Sequence, residues 1–186
     1  MNYYLSQSLI FDSSKITYQD FFGDTREVMM DWEDPIMSAS AAYACENGGD
    51  ILEIGFGMGI SAGYIQQHTI NTHIIIENHP DVIIKAQAWA ADKSNVTILE
   101  GSWYDIKDTL STYDGLFYDT WGDENSKDFW TTLPSLMKAG GKATWWGSYK
   151  EVSRGLSGVT YETHSVSPPS NSYFNHSSYI LPKKQF

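Results

Sequence analysis

The sequence predicts an α/β fold: a doubly wound sheet, mostly parallel, with an antiparallel pair of strands at one edge. Three observations predict it. Five short apolar runs alternate with helical stretches between residues 50 and 146. The first run opens into Gly55-Phe56-Gly57-Met58-Gly59, a turn whose bare backbone can come close to a ligand. The second run ends on an acid, Glu77, where such sheets accept hydrogen bonds from two ribose hydroxyls.

The elements follow in order. The first ~30 residues are polar and aromatic without a clean period, and Gly23 divides a lead segment from a short helix over 25–32. Asp34-Pro35 reads as N-cap and N1 of an Ala-rich helix over 36–45, ended by Gly48-Gly49. A buried strand covers 50–54 and a helix 60–68. The β-branched run 73–77 is a second parallel strand, and Pro80 opens a helix over 81–92. A third strand spans 96–99, a short helix 103–110, and a fourth strand 115–118 ends at Asp119. The helical stretch 127–138 contains Pro134, which kinks or divides it. Gly140-Gly141 is a turn before a fifth strand over 142–146. Then at most two helical turns fit in 149–156, and 159–166 and 177–181 form the antiparallel pair. No linker or repeat interrupts 1–186, so one domain is expected.

Composition narrows the partners. Twelve Lys and Arg stand against 23 Asp and Glu, a net charge of −11 that repels phosphate backbones and argues against nucleic acid. The N-terminus lacks a basic and apolar leader, and no apolar run approaches the ~20 residues that cross a bilayer. The cytoplasm is the default location, with no membrane partner expected. A single cysteine, Cys45, precludes an internal disulfide and a multi-Cys zinc site, and on its Ala-rich helix it reads as a buried small hydrophobe. His68, His73 and His79 show no metal spacing and read as surface or loop residues. Aromatic residues reach 15% and crowd the stretch 103–146, the density of a flat ligand surface or of core packing.

Glu77 follows Gly55 by 22 positions, close to the about 20 expected of a ribose-binding acid. The dinucleotide fingerprint counted from Gly55 would want its last glycine at Ile60. Counted from Gly57, the looser form is met by Gly57, Gly59 and Ala62, so the loop alone leaves NAD open. The whole, preceded by Glu53, resembles motif I of class I S-adenosylmethionine-dependent methyltransferases more closely.

Further segments narrow the resemblance. Val28-Met29-Met30-Asp31-Trp32-Glu33-Asp34-Pro35-Ile36-Met37 and Leu52-Glu53-Ile54-Gly55-Phe56-Gly57-Met58-Gly59-Ile60 resemble guanidinoacetate N-methyltransferase and the related arginine δ-N-methyltransferases. So do Ile75-Ile76-Glu77-Asn78, Gly101-Ser102-Trp103, Asp114-Gly115-Leu116-Phe117-Tyr118-Asp119-Thr120 and the tail 166–182. The resemblance runs from about residue 25 to the end and implies a Rossmann-like sheet with S-adenosylmethionine as cofactor.

The resemblance also implies roles. Met29 and Met37 would line the methionine part of the cofactor; Gly55, Phe56, Gly57, Met58, Gly59 and Ile60 would wrap it. Glu77 would hold the ribose, flanked by Asn78 and His79, and Ser102 and Trp103 would face the adenine. Glu33 and Asp119 would grip a guanidinium, and Ser148 and Tyr149 would bind the substrate's carboxylate through backbone amides. The substrate would be a small guanidino compound, with guanidinoacetate (giving creatine) in the lead. Arginine, free or in protein, another amine, or cofactor binding without catalysis are the alternatives. Residues 1–48 would form a lid over the substrate, in a monomer or homodimer.

The chemistry agrees. A guanidinium is no nucleophile while its positive charge is delocalised, and its fork suits carboxylates. Asp119, at the end of a buried strand, is the better base, and Glu33 would orient and neutralise. Glu33 just before Asp34-Pro35 also suits a helix start, and Asp119 also suits a solvated strand end. Ala139 replaces the family's proline, Trp145-Trp146 and Gly147-Ser148-Tyr149 replace its residues after the fifth strand, and the crossover is cut to 147–158. That predicts a more open site or one covered by a partner subunit.

Overall fold

The computed structural model describes residues 3–147, 153–170 and 172–186. An N-terminal antiparallel sheet comprises β1 (Ile10–Phe11), β2 (Lys15–Gln19) and β3 (Thr25–Met30). The helix expected at 25–32 is therefore a strand followed by a 3₁₀ turn, Asp31–Glu33. The missed signal is turn chemistry: the Asp20 carboxylate accepts from Phe22 N and Asp24 N at 2.9 Å and from Arg26 Nε at 2.7 Å. Those bonds fold 20–24 into a hairpin, and pairing with Ile16, Thr17 and Tyr18 then outweighs the weak helical pattern.

The remaining elements are α1 (Asp34–Ala44), β4 (Asp50–Ile54), α2 (Ile60–Ile65), β5 (Thr72–Glu77), α3 (Pro80–Ala90), β6 (Val96–Glu100) and α4 (Trp103–Ile106). They continue with β7 (Tyr113–Tyr118), α5 (Ser126–Thr132), β8 (Met137–Trp145), β9 (Val159–Ser165) and β10 (Ser178–Gln185). One seven-stranded sheet has the order β6-β5-β4-β7-β8-β10-β9; β10 is antiparallel to β8 and β9, and β4 to β8 are mutually parallel. This is the α/β architecture expected, antiparallel edge included.

Pro134 divides the stretch expected at 127–138, since α5 gives way to a 3₁₀ turn over Leu133–Leu136. Gly140-Gly141 departs from the turn expected: β8 runs through it, with the register against β7 shifting between Tyr113 and Gly115. Gly140, at φ 82°, supplies that bulge, and its N–H donates to Phe186 O at 2.7 Å. The two helical turns expected at 149–156 lie partly outside the described residues; 153–158 carries no helix.

β4, β5 and β7 are buried on both faces, which accounts for their unbroken apolar runs. Leu52, Leu116, Tyr118 and Trp145 pack on one side of the sheet; Phe117, Met37, Tyr179 and Leu181 pack on the other with Met29 and Trp32. The N-terminal sheet thus joins the second core, and its strands reach the carboxyl ends of the parallel strands, where α/β sheets bind ligands. Among the described residues no helix is long and apolar enough to cross a membrane.

Candidate active site

A cavity of about 900 Å³ opens at those carboxyl ends. Its floor is the turn after β4. Gly55, at φ 95°, lets β4 turn against β7: a Cβ there would collide with the Asp119 carbonyl oxygen. The same crossing is tied by Asp119 N donating to Ile54 O at 2.9 Å. Gly55→Ala is therefore expected to destabilise the fold by ~3 kcal/mol or more, from strain plus clash, read as a lowered urea midpoint with unchanged slope.

Glu77, at the end of β5, is buried and already organised. Its Oε2 accepts from Phe56 N at 2.9 Å, and its Oε1 accepts from Asn78 N and His79 N at 2.8 Å. Three amides from two loops thus hold the carboxylate at the cavity wall. Trp103 also lines the cavity, its indole N–H donating to Asp123 Oδ2 at 2.6 Å; that oxygen also accepts from Tyr118 Oη at 2.6 Å.

Two acids meet at the opposite end. Glu33, 3% exposed, accepts from Met30 N at 2.9 Å and from the Tyr173 hydroxyl. Burial first, then the charge of Asp119, raises its pKa well above the usual carboxylate range. Asp119 is itself pushed up to about 7, by burial and then by Glu53. Both line the cavity, and the charge of Asp119 makes that of Glu33 costlier. The pair is poised to receive a cation, which would relieve both.

Beneath the turn, Glu53 is fully buried. It accepts from the Ser61 hydroxyl and lies 2.9 Å from His73 Nε2. Gln66 Nε2 sits 3.2 Å from His73 Nδ1; an amide donor there leaves Nε2–H to donate to Glu53. His79 is buried too: Nδ1 accepts from Asp81 N at 3.2 Å and caps α3, and Nε2 faces Gln7 O at 3.1 Å. The expectation that His73 is a surface or loop residue is thus corrected, since it lies buried in β5; His79 is the loop residue expected, but a buried one. Single-sequence reading does not see Glu53 beside His73 or Gln7 beside His79, because both lie on distant segments. Cys45 is buried, as expected.

The cavity brings together Met29, Glu33, Gly55, Phe56, Gly57, Glu77, Asn78, Trp103 and Asp119 of the residues singled out in the sequence. Met29 Sδ lies 3.1 Å from Met58 N, and a Cβ on Gly57 would run into it. Met37, Met58, Gly59, Ile60, His79 and Ser102 stand outside the lining. Met37 is fully buried in the core, Gly59 caps α2, and Ser102 caps α4 by accepting from Tyr104 N at 3.2 Å. Ser148 and Tyr149 lie outside the described residues. Sequence reading missed Glu27, Asp123, Trp146 and Tyr173; crowded aromatics signalled Trp146, but nothing signalled Glu27 in a segment expected to be helical.

The family model described as guanidinoacetate N-methyltransferase matches residues 11–141. The chain belongs to the guanidinoacetate N-methyltransferase family. Its match starts at β2's neighbour β1, earlier than the resemblance at about residue 25, and so takes in the N-terminal sheet. A relative named protein arginine N-methyltransferase 2, from Aspergillus fumigatus, is 36% identical over 156 residues, covering 78% of this chain and 35% of that protein. The chain spans about a third of the length of the curated relatives it matches. The fold is similar to spermidine synthase from Thermotoga maritima (TM-score 0.66, 10% identity, 96% of this chain, 72% of that one). It is also similar to a candidate SAM-dependent methyltransferase from Streptococcus mutans (TM-score 0.60, 11% identity, 97% and 55%).

Membership of this N-methyltransferase family and the fold imply S-adenosylmethionine as the donor. The residues present fit an adenosyl group. Glu77 offers an organised carboxylate to hydroxyls, Trp103 an apolar ring, and Gly55 and Gly57 bare backbone.

Proposed function

We propose that the protein methylates a guanidino nitrogen, with arginine, free or in a polypeptide, as the acceptor best supported. One observation carries this: two acids, the buried Glu33 and the half-buried Asp119, face one cavity, and neither is in a salt bridge among the described residues, while Lys15 and Arg26 line the same cavity. The names of the relatives support arginine. Guanidinoacetate is the second reading, supported by the description of the family model.

In this reading Glu77, Met29, Gly55, Phe56, Gly57, Asn78 and Trp103 hold the cofactor from the cavity, with Met37, Met58, Gly59, Ile60, His79 and Ser102 shaping the elements behind them. When bound, S-adenosylmethionine supplies an electrophilic methyl group. Glu33, fixed by Met30 N and the Tyr173 hydroxyl, orients the guanidinium. Asp119 accepts the proton that the attacking nitrogen loses as its bond to carbon forms. Within the stretch 1–48 expected to be a lid, α1 packs in the core, and the N-terminal sheet would be the cover: Lys15, Thr25 and Glu27 line the cavity, and their closure would keep water from the methyl group.

Incubation with S-adenosylmethionine and arginine, guanidinoacetate or ornithine, followed by mass spectrometry, tests the reading. A gain of one methyl on a guanidino compound supports it; methylation of ornithine alone would overturn it. The pH profile should carry Asp119. Because the base must be ionised, kcat/KM should fall about tenfold per pH step below 7 and level off above. A bound cation lowers that pKa, so the acid limb of kcat should lie at lower pH.

A further inference from the structure

We propose that Trp146 and Tyr173 form an aromatic clamp that reads the acceptor as a planar guanidinium and selects against the compact ammonium of an amine. This deepens the guanidino reading above and rests on it. Two carboxylates attract either cation, so charge alone does not discriminate. Flat rings do, because a guanidinium is planar and weakly hydrated and stacks on them, whereas an ammonium keeps its water.

Both rings line the cavity that holds Glu33 and Asp119. Trp146 follows Trp145, which pairs with Tyr118 in parallel register, so Trp146 and Asp119 are consecutive steps off neighbouring strands. Its N–H donates to Tyr118 O at 2.9 Å. The indole is fixed by the Tyr179 ring at 4.8 Å, and the Tyr179 hydroxyl accepts from Gly147 N at 2.6 Å. Tyr173 is held from both ends. Its N–H donates to Glu27 Oε2 at 2.8 Å, and its hydroxyl donates to Glu33. Trp146 and Tyr173 lie 6.4 Å apart at 55°, so they do not stack on each other. Trp32 backs both and stacks on Phe174 at 5.4 Å and 21°. Each acid of the pair therefore has an aromatic ring beside it, Trp146 next to Asp119 off the neighbouring strand and Tyr173 hydrogen-bonded to Glu33.

The test compares arginine with ornithine, by turnover and by calorimetry on the whole protein saturated with S-adenosylhomocysteine. Trp146→Leu should raise the KM for arginine about tenfold and erode the arginine-over-ornithine preference, with S-adenosylhomocysteine affinity unchanged. Trp146→Phe should recover most of the loss. Tyr173→Phe keeps the ring and should keep the preference, while Tyr173→Leu should reduce it; this pair decides the matter if the Trp146 variants do not fold. Equal arginine KM values for the Leu and Phe variants would mean the rings only pack, and would overturn the clamp. A wild-type protein that methylates neither arginine nor guanidinoacetate would instead bring down the guanidino reading, and the clamp with it.

Discussion

Asp119→Asn is expected to lower kcat by about a thousandfold while making the ligand-free protein more stable at pH 8. Both effects come from one half-buried carboxylate. The amide keeps the shape but has no affinity for the proton that the acceptor nitrogen must lose. The stability effect has a definite sign. Asp119 in the fold holds its proton up to about pH 7, well above the usual carboxylate value near 3.8. Its contribution to stability is therefore fully present below about pH 4 and lost as pH rises through 7. At about 1.4 kcal/mol per tenfold change in proton affinity, the ionised form costs at most roughly 4 kcal/mol at pH 8. An uncharged Asn escapes that cost, so Tm at pH 8 should rise by several degrees, while near pH 4 wild type and variant should differ little. Binding of S-adenosylhomocysteine should survive. Equal loss of cofactor binding and turnover would make Asp119 a structural residue, and a lower Tm at pH 8 would mean the amide cannot satisfy the site.

The contrast with Glu33 sharpens the division of labour. Glu33 accepts from Met30 N at the end of β3 and from Tyr173, donors 143 positions apart that the fold brings together. Its strongly raised pKa comes from burial and then Asp119, so a cation bound beside it would favour its ionised form. In the proposed reading the two acids together receive the positive charge of the acceptor.

What could be read in the sequence was local or periodic. The runs over 50–54, 73–77 and 115–118 announce parallel strands because both faces are buried, and Pro134 announces its own break. Glu77 and the glycine turn are legible because their chemistry depends on a strand end and a short spacing. Residues whose environment is assembled from distant segments were not legible. His73 is buried beside Glu53 of the adjacent strand, with Glu53 and Ile75 in register two positions further along the ladder from Ile51 and His73. Tyr173 enters the site because Glu27, 146 positions earlier, accepts its N–H. Strand β3 shows no period-2 pattern, since Met29 and Met30 are both buried, and only the Asp20 hairpin reveals its pairing. Met37, named from the family pattern, packs in the core behind the lining, a position that a motif alone does not distinguish from a contact.

Glu77→Ala should be the most damaging change at the cofactor end, for a reason that goes beyond the proposed ribose contact. The carboxylate is the acceptor for Phe56 N, Asn78 N and His79 N. Alanine strands three buried or half-buried amides, and hydrogen bonds to a charged group are worth about 1.5–3 kcal/mol each. Water entering the cavity would recover part of this, so a net loss of about 3 kcal/mol is expected in urea unfolding. S-adenosylhomocysteine affinity should fall at least a hundredfold, because the hydroxyl acceptor is lost and the Gly55 turn is loosened together. Glu77→Gln separates the two contributions. Its single carbonyl oxygen can serve two of the three amides, so most stability should return, while its NH₂ faces the third amide and cannot accept from a hydroxyl. A Gln variant that is stable yet still weak for S-adenosylhomocysteine in calorimetry would assign the carboxylate to the cofactor. A Gln variant with wild-type affinity would leave Glu77 as a purely structural knot between the turn after β4 and the start of α3.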